Sequence, residues 1–191
     1  MNAPIEARGL VGARGGHWLF GPIDLAVSSG GCLLISGANG TGKSTLLRVF
    51  AGLLAPEAGE VRVSAARRYL GHHDAVKPTL TVWENLAFWQ RFHEVPASEA
   101  ALTAVGLERL AAMPARYLSA GQRRRLALAR ALDTTAPIWL LDEPTNGLDA
   151  ASVERLEAII ERHRAAGGTV AVATHTVLRL PDTQRLELGL K

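Results

Sequence analysis

A glycine-rich segment near the start of the chain constrains the fold more than any other feature of the sequence. It covers residues 37–44 and fits the pattern G-x-x-x-x-G-K-[ST]. An apolar run at residues 32–35 precedes it, and a helical pattern over residues 43–51 follows. A turn of this kind points backbone N–H groups at phosphates, and the N-terminus of the helix adds its positive dipole end. The segment therefore predicts a phosphate-binding loop between a strand and a helix.

Two side chains of this loop have expected roles. Lys43 reaches the β- and γ-phosphates, and the hydroxyl of Ser44 ligates magnesium. The alternative is a glycine-rich turn that binds nothing, but the pattern is complete and stands in the required context. The predicted ATP-binding residues are Gly37, Ala38, Asn39, Gly40, Thr41, Gly42, Lys43, Ser44 and Thr45.

Two further apolar runs have the same character as the run before the loop. Residues 138–141 and 169–173 are short, continuously apolar and bounded by turn residues or charges. Strands of this kind are buried on both faces, as in a parallel sheet. Helical patterns lie between them, over residues 43–51, 82–92, 98–105 and 150–166. The alternation predicts an α/β fold with a mostly parallel sheet.

Two helical regions carry more detail. Residues 75–114 show helical patterns and no convincing strand, and Thr81 and Glu84 have the spacing of a capping box. This stretch is expected to be a helical insertion. In residues 150–166 the apolar positions recur at helical spacing, so that helix is expected to lie on the sheet with its other face in water. Those positions are Leu156, Ile159, Ile160 and His163.

The composition excludes several classes of protein. With 191 residues, 48% of them hydrophobic, the chain is expected to form one domain over residues 1–191. No stretch approaches the roughly 18 to 20 apolar residues of a membrane-spanning helix, and the N-terminus lacks the pattern of a signal peptide. The single cysteine, Cys32, excludes an internal disulfide, and no Cys/His spacing fits zinc. These features favour the cytosol, and the formal charge of +3 does not call for a polyanionic partner.

Two acidic residues follow the apolar run at residues 138–141. Ligands of open α/β sheets bind at the carboxyl ends of the strands, which is where Asp142 and Glu143 stand. Asp142 is expected to hold magnesium. Glu143 is one residue further on, and we expect it to polarise the water that attacks the γ-phosphate. The alternative is an acidic strand end in solvent, which the phosphate loop in the same chain disfavours.

A further helix start lies at residues 118–122. Ser119 and Gln122 have capping-box spacing, and the adjacent glycine makes this start a candidate second anion site. A plain helix cap is the alternative. Three consecutive arginines follow at residues 123–125, and alone they indicate a solvated face or, less often, a nucleic-acid patch.

Taken in order, these motifs resemble those of the nucleotide-binding subunits of ATP-binding cassette (ABC) transporters. The matching segments are the phosphate loop, Leu-Ser-Ala-Gly-Gln at 118–122, Leu-Leu-Asp-Glu-Pro-Thr-Asn-Gly-Leu-Asp at 140–149 and Thr-His at 174–175. The resemblance covers nearly the whole chain. It implies a P-loop NTPase fold of the ABC-ATPase type, with a helical subdomain of about residues 75–130 inserted in the core. It also implies ATP as the substrate, used with Mg²⁺.

The resemblance implies that the complete site is shared between two copies packed head to tail. The residues of one copy that would reach the ATP of the other are Ser119, Ala120, Gly121, Gln122 and Asp149. His175 would contact the γ-phosphate and act with Glu143 in catalysis. A histidine hydrogen-bonded at a strand end is the alternative for His175.

The sequence departs from the family pattern at three places. Ala120 replaces the first of two glycines in the usual Leu-Ser-Gly-Gly-Gln, which leaves Ser119 and Gly121 in place. His73 is expected at the position of the usual magnesium-contacting glutamine. Arg14 is expected where an aromatic ring usually stacks on adenine, with Trp18 and Phe20 as nearby alternatives.

Within this family, the chain resembles the ATPases of haem exporters that serve cytochrome c maturation. The resemblance rests on Leu-Gly-His-His at 70–73, Leu-Thr-Val-Trp-Glu-Asn-Leu at 80–86 and the Leu-Ser-Ala-Gly-Gln variant. It implies a peripheral subunit on the cytoplasmic face of a bacterial inner membrane, joined to integral membrane subunits, named CcmB and CcmC in that system. The alternatives are a drug or polysaccharide exporter and, in a different class, an ABC ATPase acting on nucleic acid or ribosomes. No nucleic-acid partner is expected.

Overall fold

The centre of the larger sheet is built from the three predicted apolar runs. The computed structural model describes residues 3–96, 98–132 and 136–189, so residues 1 and 2 of the opening segment lie outside the described residues. Five strands form an all-parallel sheet in the order β5-β6-β7-β3-β8. They are β3 (Cys32–Gly37), β5 (Arg67–Leu70), β6 (Ile138–Asp142), β7 (Thr169–Ala173) and β8 (Thr183–Leu188). The three central strands are the three predicted ones, and the α/β fold class is confirmed.

A second sheet and both edges of the larger sheet are not predicted by the apolar runs. The second sheet is antiparallel, in the order β2-β1-β4, and consists of β1 (Ile5–Arg14), β2 (His17–Val27) and β4 (Ala58–Val63). Its strands β1 and β2 mix buried and exposed residues, β4 has no buried residue, and bulges interrupt the register between β1 and β2. The edge strands β5 and β8 are polar at most positions. The strands of the antiparallel sheet and the two edge strands each have a solvent-exposed side. They therefore lack the continuous apolar character that identifies the central strands.

The helices match the predicted patterns closely. They are α1 (Lys43–Phe50), α2 (Val82–Phe92), α3 (Ala100–Ala104), α4 (Ala120–Ala131) and α5 (Ala150–Ala165). The largest difference is α3, which is three residues shorter than the pattern at 98–105. The capping box of α2 is present, because the Thr81 hydroxyl accepts from the Glu84 N–H and the Glu84 carboxylate accepts from the Thr81 N–H.

Two apolar cores lie on the two faces of the parallel sheet. One core contains α1 and the inner face of the antiparallel sheet, and the other contains α2 to α5. On α5, Leu156 and Ile160 are buried as the pattern predicts. His163 lies on the same face and stacks on Trp139 of β6, with ring centroids 3.6 Å apart and planes 4° from parallel. The parallel sheet is therefore packed on both faces, and the carboxyl ends of its strands remain open to form the site.

The described residues between β5 and β6 form α2, α3, α4 and two 3₁₀ turns, Glu108–Leu110 and Ala115–Tyr117. One isolated bridge joins Thr81 to Pro114. This region contains the predicted helical subdomain of about residues 75–130, whose boundaries stay a prediction. Among the described residues, no helix has both the length and the apolar character needed to cross a bilayer.

Candidate active site

The glycine-rich loop joins the carboxyl end of β3 to the N-terminus of α1. Its glycines Gly37, Gly40 and Gly42 all have positive φ, at 140°, 87° and 97°. At Gly42 a side chain would also meet the Phe20 ring, since a Cβ there would lie 2.7 Å from it. Only glycine therefore allows the loop to turn tightly enough to present its N–H groups at the helix start.

The ammonium group of Lys43 folds back over this loop. Its Nζ donates to the carbonyl oxygens of Gly37, at 2.7 Å, and Ala38, at 3.0 Å. The lysine is almost fully buried, so its charge is fixed at the inner side of the loop rather than free in solvent. A cation held in this position beside a helix N-terminus is suited to attract phosphate oxygens.

The predicted magnesium ligands meet at the end of β6. Ser44 Oγ donates to Asp142 Oδ1 at 2.9 Å, and the Tyr69 hydroxyl donates to Asp142 Oδ2 at 3.3 Å. Asp142 is buried. Tyr69 is itself partly buried, and this burial is the main cause of its raised pKa. The described residues contain no cluster of three metal-binding side chains. A hydroxyl and one carboxylate still fit Mg²⁺, because this ion takes oxygen ligands and usually keeps waters and substrate phosphates in its shell.

The predicted catalytic pair is in contact. His175 Nδ1 lies 2.9 Å from Glu143 Oε2, and the His175 backbone N–H donates to the same oxygen at 3.4 Å. Glu143 has a φ of 47°, which is rare for a residue other than glycine. Backbone strain of this kind is characteristic of functional sites.

The glycine-rich loop, Glu143 and His175 border one cavity of about 410 Å³ at the carboxyl ends of the strands. The residues that line it are Arg14, Leu19, Asn39, Gly40, Gly42, Lys43, Ser44, Thr45, His72, Glu143, Asn146 and His175. The structure therefore brings the loop, the acidic strand end and His175 together, with Arg14 at the same cavity. Of the two alternatives to Arg14, Phe20 is buried in the core and Trp18 is 59% exposed.

The two adjacent histidines differ in their relation to this cavity. His72 lines it, whereas His73 is not among its lining residues. Their rings are arranged edge to face, with centroids 5.8 Å apart. The glutamine-like role expected of His73 stays a prediction, and His72 is the histidine of this loop that borders the cavity.

The segment expected to act in trans lies outside this cavity. Ser119 caps α4, because its Oγ accepts from the Gln122 N–H at 3.2 Å while Gln122 Oε1 accepts from the Ser119 N–H at 2.8 Å. A Cβ at Gly121 would lie 2.7 Å from the Gly147 carbonyl oxygen, so glycine is required for this close approach. With Ala120, these residues form the start of α4, and their contact with the nucleotide of a second copy stays a prediction.

Asp149 caps α5 by accepting from the Ser152 N–H at 2.8 Å. Hydrogen bonds from Ser152 lower the pKa of Asp149. Its predicted contact with the nucleotide of a second copy stays a prediction.

The three consecutive arginines do not form the solvated face that their charges suggest. Arg123 donates to the Leu118 carbonyl at 2.6 Å, and Arg125 donates to the carbonyls of Val105 and Gly106 at 3.0 and 3.1 Å. Arg124 is only 4% exposed and reaches the end of β6. The sequence reasoning missed this contact, as it missed Tyr69, because both contacts join residues that are distant in sequence.

The site combines a phosphate loop with a serine–aspartate pair, a glutamate–histidine pair and a separate capped helix start. Together these features define the nucleotide-binding domain of an ATP-binding cassette. The family model described as ABC transporter matches residues 20–146, and this chain belongs to that family as an ATP-hydrolysing subunit.

Two relatives that are similar over nearly the whole chain share one name, cytochrome c biogenesis ATP-binding export protein CcmA. The protein of Paramagnetospirillum magneticum is 46% identical over 98% of this chain and 94% of its own length. That of Nitrobacter hamburgensis is 47% identical over 97% of this chain and 98% of its own length.

Solved structures give the same fold. The dimeric structure of a bacterial ABC transporter cassette, MJ0796, has a TM-score of 0.83 and 25% identity, and covers 97% of this chain and 94% of its own. The structure of an ATP-binding subunit of an ABC transporter has a TM-score of 0.84 and 21% identity, and covers 99% of this chain and 88% of its own.

Proposed function

We propose that this chain is the ATPase of a haem exporter, or haem-handling complex, of c-type cytochrome biogenesis. The observation that carries the proposal is the identity of 46–47% with proteins named for cytochrome c biogenesis and export, over nearly the full length of both chains. The geometry of the site supports the ATPase part, and the relatives support the process that it drives.

ATP would bind along the cavity, with its phosphates in the glycine-rich loop. The Lys43 ammonium would leave the carbonyls of Gly37 and Ala38 for the β- and γ-phosphate oxygens. At the far end, the Arg14 guanidinium would stack on the adenine. Because Lys43 would bind the phosphates and Arg14 the adenine, the separation of these two side chains along the cavity would set the orientation of ATP.

Ser44 and Asp142 would hold Mg²⁺, with His73 in the place of the family's glutamine. Bound Mg²⁺ supplies charge neutralisation at the phosphate oxygens. The Ser44–Asp142 hydrogen bond prepares the two oxygens for this role, because it already holds them at the same point of the site.

Glu143 would orient and polarise the attacking water through its carboxylate. His175 would contact the γ-phosphate and, by its contact with Glu143, fix the direction of that carboxylate. Ser119 and Gly121 of a second copy would close over the phosphates and exclude bulk water. Hydrolysis therefore requires two copies, an arrangement supported by the dimeric form of a related cassette.

The dimer would be held by integral membrane subunits, CcmB and CcmC, at the cytoplasmic face of a bacterial inner membrane. Two tests separate this assignment from the alternatives. Affinity purification of the tagged chain from detergent-solubilised membranes should recover these subunits. In cells lacking the chain, the parent protein should restore c-type cytochromes and the Lys43→Ala variant should not.

Membrane subunits of a drug or polysaccharide exporter would assign a different substrate. An ATPase activity stimulated by DNA or RNA, without membrane subunits, would place the chain in the class that acts on nucleic acid. Either result would contradict the proposed function.

A further inference from the structure

We propose that Arg124 is a positioning residue for ATP hydrolysis, which holds the backbone of Glu143 in its working arrangement. The inference rests on the proposed function in one respect, that Glu143 orients the attacking water. Arg124 lies in the first turns of α4, directly after the capped start at Ser119.

One side of the guanidinium is bound to the end of β6. Its Nη2 donates to the carbonyl oxygens of Asp142, at 2.8 Å, and Glu143, at 2.7 Å. These two residues carry the predicted magnesium ligand and the predicted water-polarising group. Arg124 itself is 4% exposed, so these contacts are protected from competition by water.

The other side of the guanidinium is bound to the loop after β5. Its Nη1 donates to the Gly71 carbonyl at 3.2 Å and to Asp74 Oδ1 at 3.0 Å. Asp74 supplies the negative charge that a buried guanidinium requires. His72, which lines the nucleotide cavity, lies between these two contacts. A single side chain thus joins the start of α4, the end of β6 and the His72 loop.

The contact with Glu143 matters because of the conformation of that residue. Its φ of 47° is unfavourable for a side chain with a Cβ, so the backbone persists only where neighbours hold it. The Glu143 N–H donates to the Ala173 carbonyl at 2.8 Å, and the Glu143 carbonyl accepts from Arg124. Without the second contact, the backbone is free to relax and to carry the carboxylate away from its position 2.9 Å from His175.

The neighbouring arginines provide a matched control. Arg125 lies on the same helix and also donates to two carbonyl oxygens, but those belong to Val105 and Gly106. Substitution of Arg125 removes the same kind of interaction without touching the end of β6. Lysine at position 124 keeps the charge but cannot reproduce a planar fork with two acceptors on each side.

The test compares Arg124→Lys and Arg124→Gln with Arg125→Lys and Arg125→Gln in the full-length chain, at protein concentrations where turnover no longer rises. We expect both Arg124 variants to lower kcat by about tenfold or more, with the KM for ATP within about twofold of the parent, because the lost contact orients a catalytic group and does not bind substrate. The Arg125 variants should keep kcat within about threefold. Thermal unfolding in each variant separates loss of folding from loss of positioning.

Two further measurements distinguish positioning from general stability. In the Glu143→Gln background, Arg124→Lys should lower the residual turnover by less than twofold, because Arg124 acts through the group already removed. Asp74→Asn, which keeps the guanidinium but removes its counter-charge, should lower kcat in the same direction and serves if the Arg124→Gln chain does not fold.

A parent-like kcat in Arg124→Lys would overturn the inference. So would an equal loss in the Arg125 variants, or an undiminished effect in the Glu143→Gln background. The proposed function fails separately, if the parent chain with its membrane subunits hydrolyses no ATP.

Discussion

His175 Nδ1 lies 2.9 Å from Oε2 of Glu143, although the two residues are 32 positions apart in the chain. The contact joins the ends of two neighbouring parallel strands, β6 and β7. His175 is 64% exposed at its side chain and Glu143 only 13%, so the histidine faces the cavity while the glutamate lies behind it. This arrangement allows His175 to contact a phosphate and, at the same time, to orient the Glu143 carboxylate.

Glu143→Gln should leave ATP binding intact and lower turnover by about a hundredfold or more, because a neutral amide does not polarise water as a carboxylate does. Lys43, Ser44 and Asp142 still hold Mg-ATP in this variant, so ATP should accumulate in a stable dimer. Single-turnover hydrolysis and size-exclusion chromatography with ATP measure the two effects.

The matched control is Glu154→Gln, which changes an exposed glutamate on the outer face of α5. It should hydrolyse ATP at the parent rate. Parent-level turnover by Glu143→Gln in the complex with the membrane subunits would show that Glu143 is not the polarising group.

The purified chain should be mostly monomeric without nucleotide and should have weak ATPase activity until its membrane subunits are present. The physical reason is that Ser119 and Gly121 lie outside the cavity of their own chain, so each site lacks half of its groups until a second copy supplies them. Specific activity should therefore rise with protein concentration. Full turnover that is independent of concentration in a dilute monomer would contradict the shared site.

His73→Gln should lower the Mg²⁺ concentration that gives half-maximal coupled ATPase activity. The physical reason is that Mg²⁺ takes oxygen ligands, and the glutamine amide supplies an oxygen where the imidazole supplies a nitrogen. ATPase activity measured over a series of Mg²⁺ concentrations checks this.

His72→Gln is the comparison, because it changes the adjacent histidine that borders the cavity. A lowered Mg²⁺ requirement in His72→Gln with an unchanged one in His73→Gln would give the glutamine-like role to His72. Requirements equal to the parent in both variants would place the whole loop outside the metal site.

The stability of the chain should depend on the protonation of His163. Burial lowers the pKa of His163 below its ordinary value of 6.5, so the unfolded chain binds this proton more readily than the folded chain. The stabilising contribution of the neutral ring is fully present above pH 6.5 and is lost as the pH falls from there toward the lower pKa of the folded state.

Melting temperatures measured between pH 7.5 and pH 5 test this effect. His163→Phe keeps an aromatic ring against Trp139 but binds no proton, so its melting temperature should fall less over that interval than that of the parent. Ile159→Val, which changes an apolar residue of the same face of α5 and no titrating group, should keep the parent slope. Equal slopes for the parent and His163→Phe would refute the assignment.

The sequence by itself determined the parts of the protein that are encoded by local pattern. The glycine-rich loop, the three central strands and the capped starts of α2 and α4 follow from residues that are neighbours in the chain. Their physical causes are also local, because a turn, a buried strand or a capping box requires particular residues at fixed short spacings. The order of the motifs then indicated the family, and the comparisons confirmed it.

Only the tertiary structure decided which residues face each other across the site. It placed His72 rather than His73 in the cavity wall, brought the Tyr69 hydroxyl to Asp142 and turned Arg124 inward onto the carbonyls of Asp142 and Glu143. It also revealed the antiparallel sheet and the polar edge strands. These features depend on contacts between residues 18 to 73 positions apart or on half-exposed strands, so no short pattern in the sequence records them.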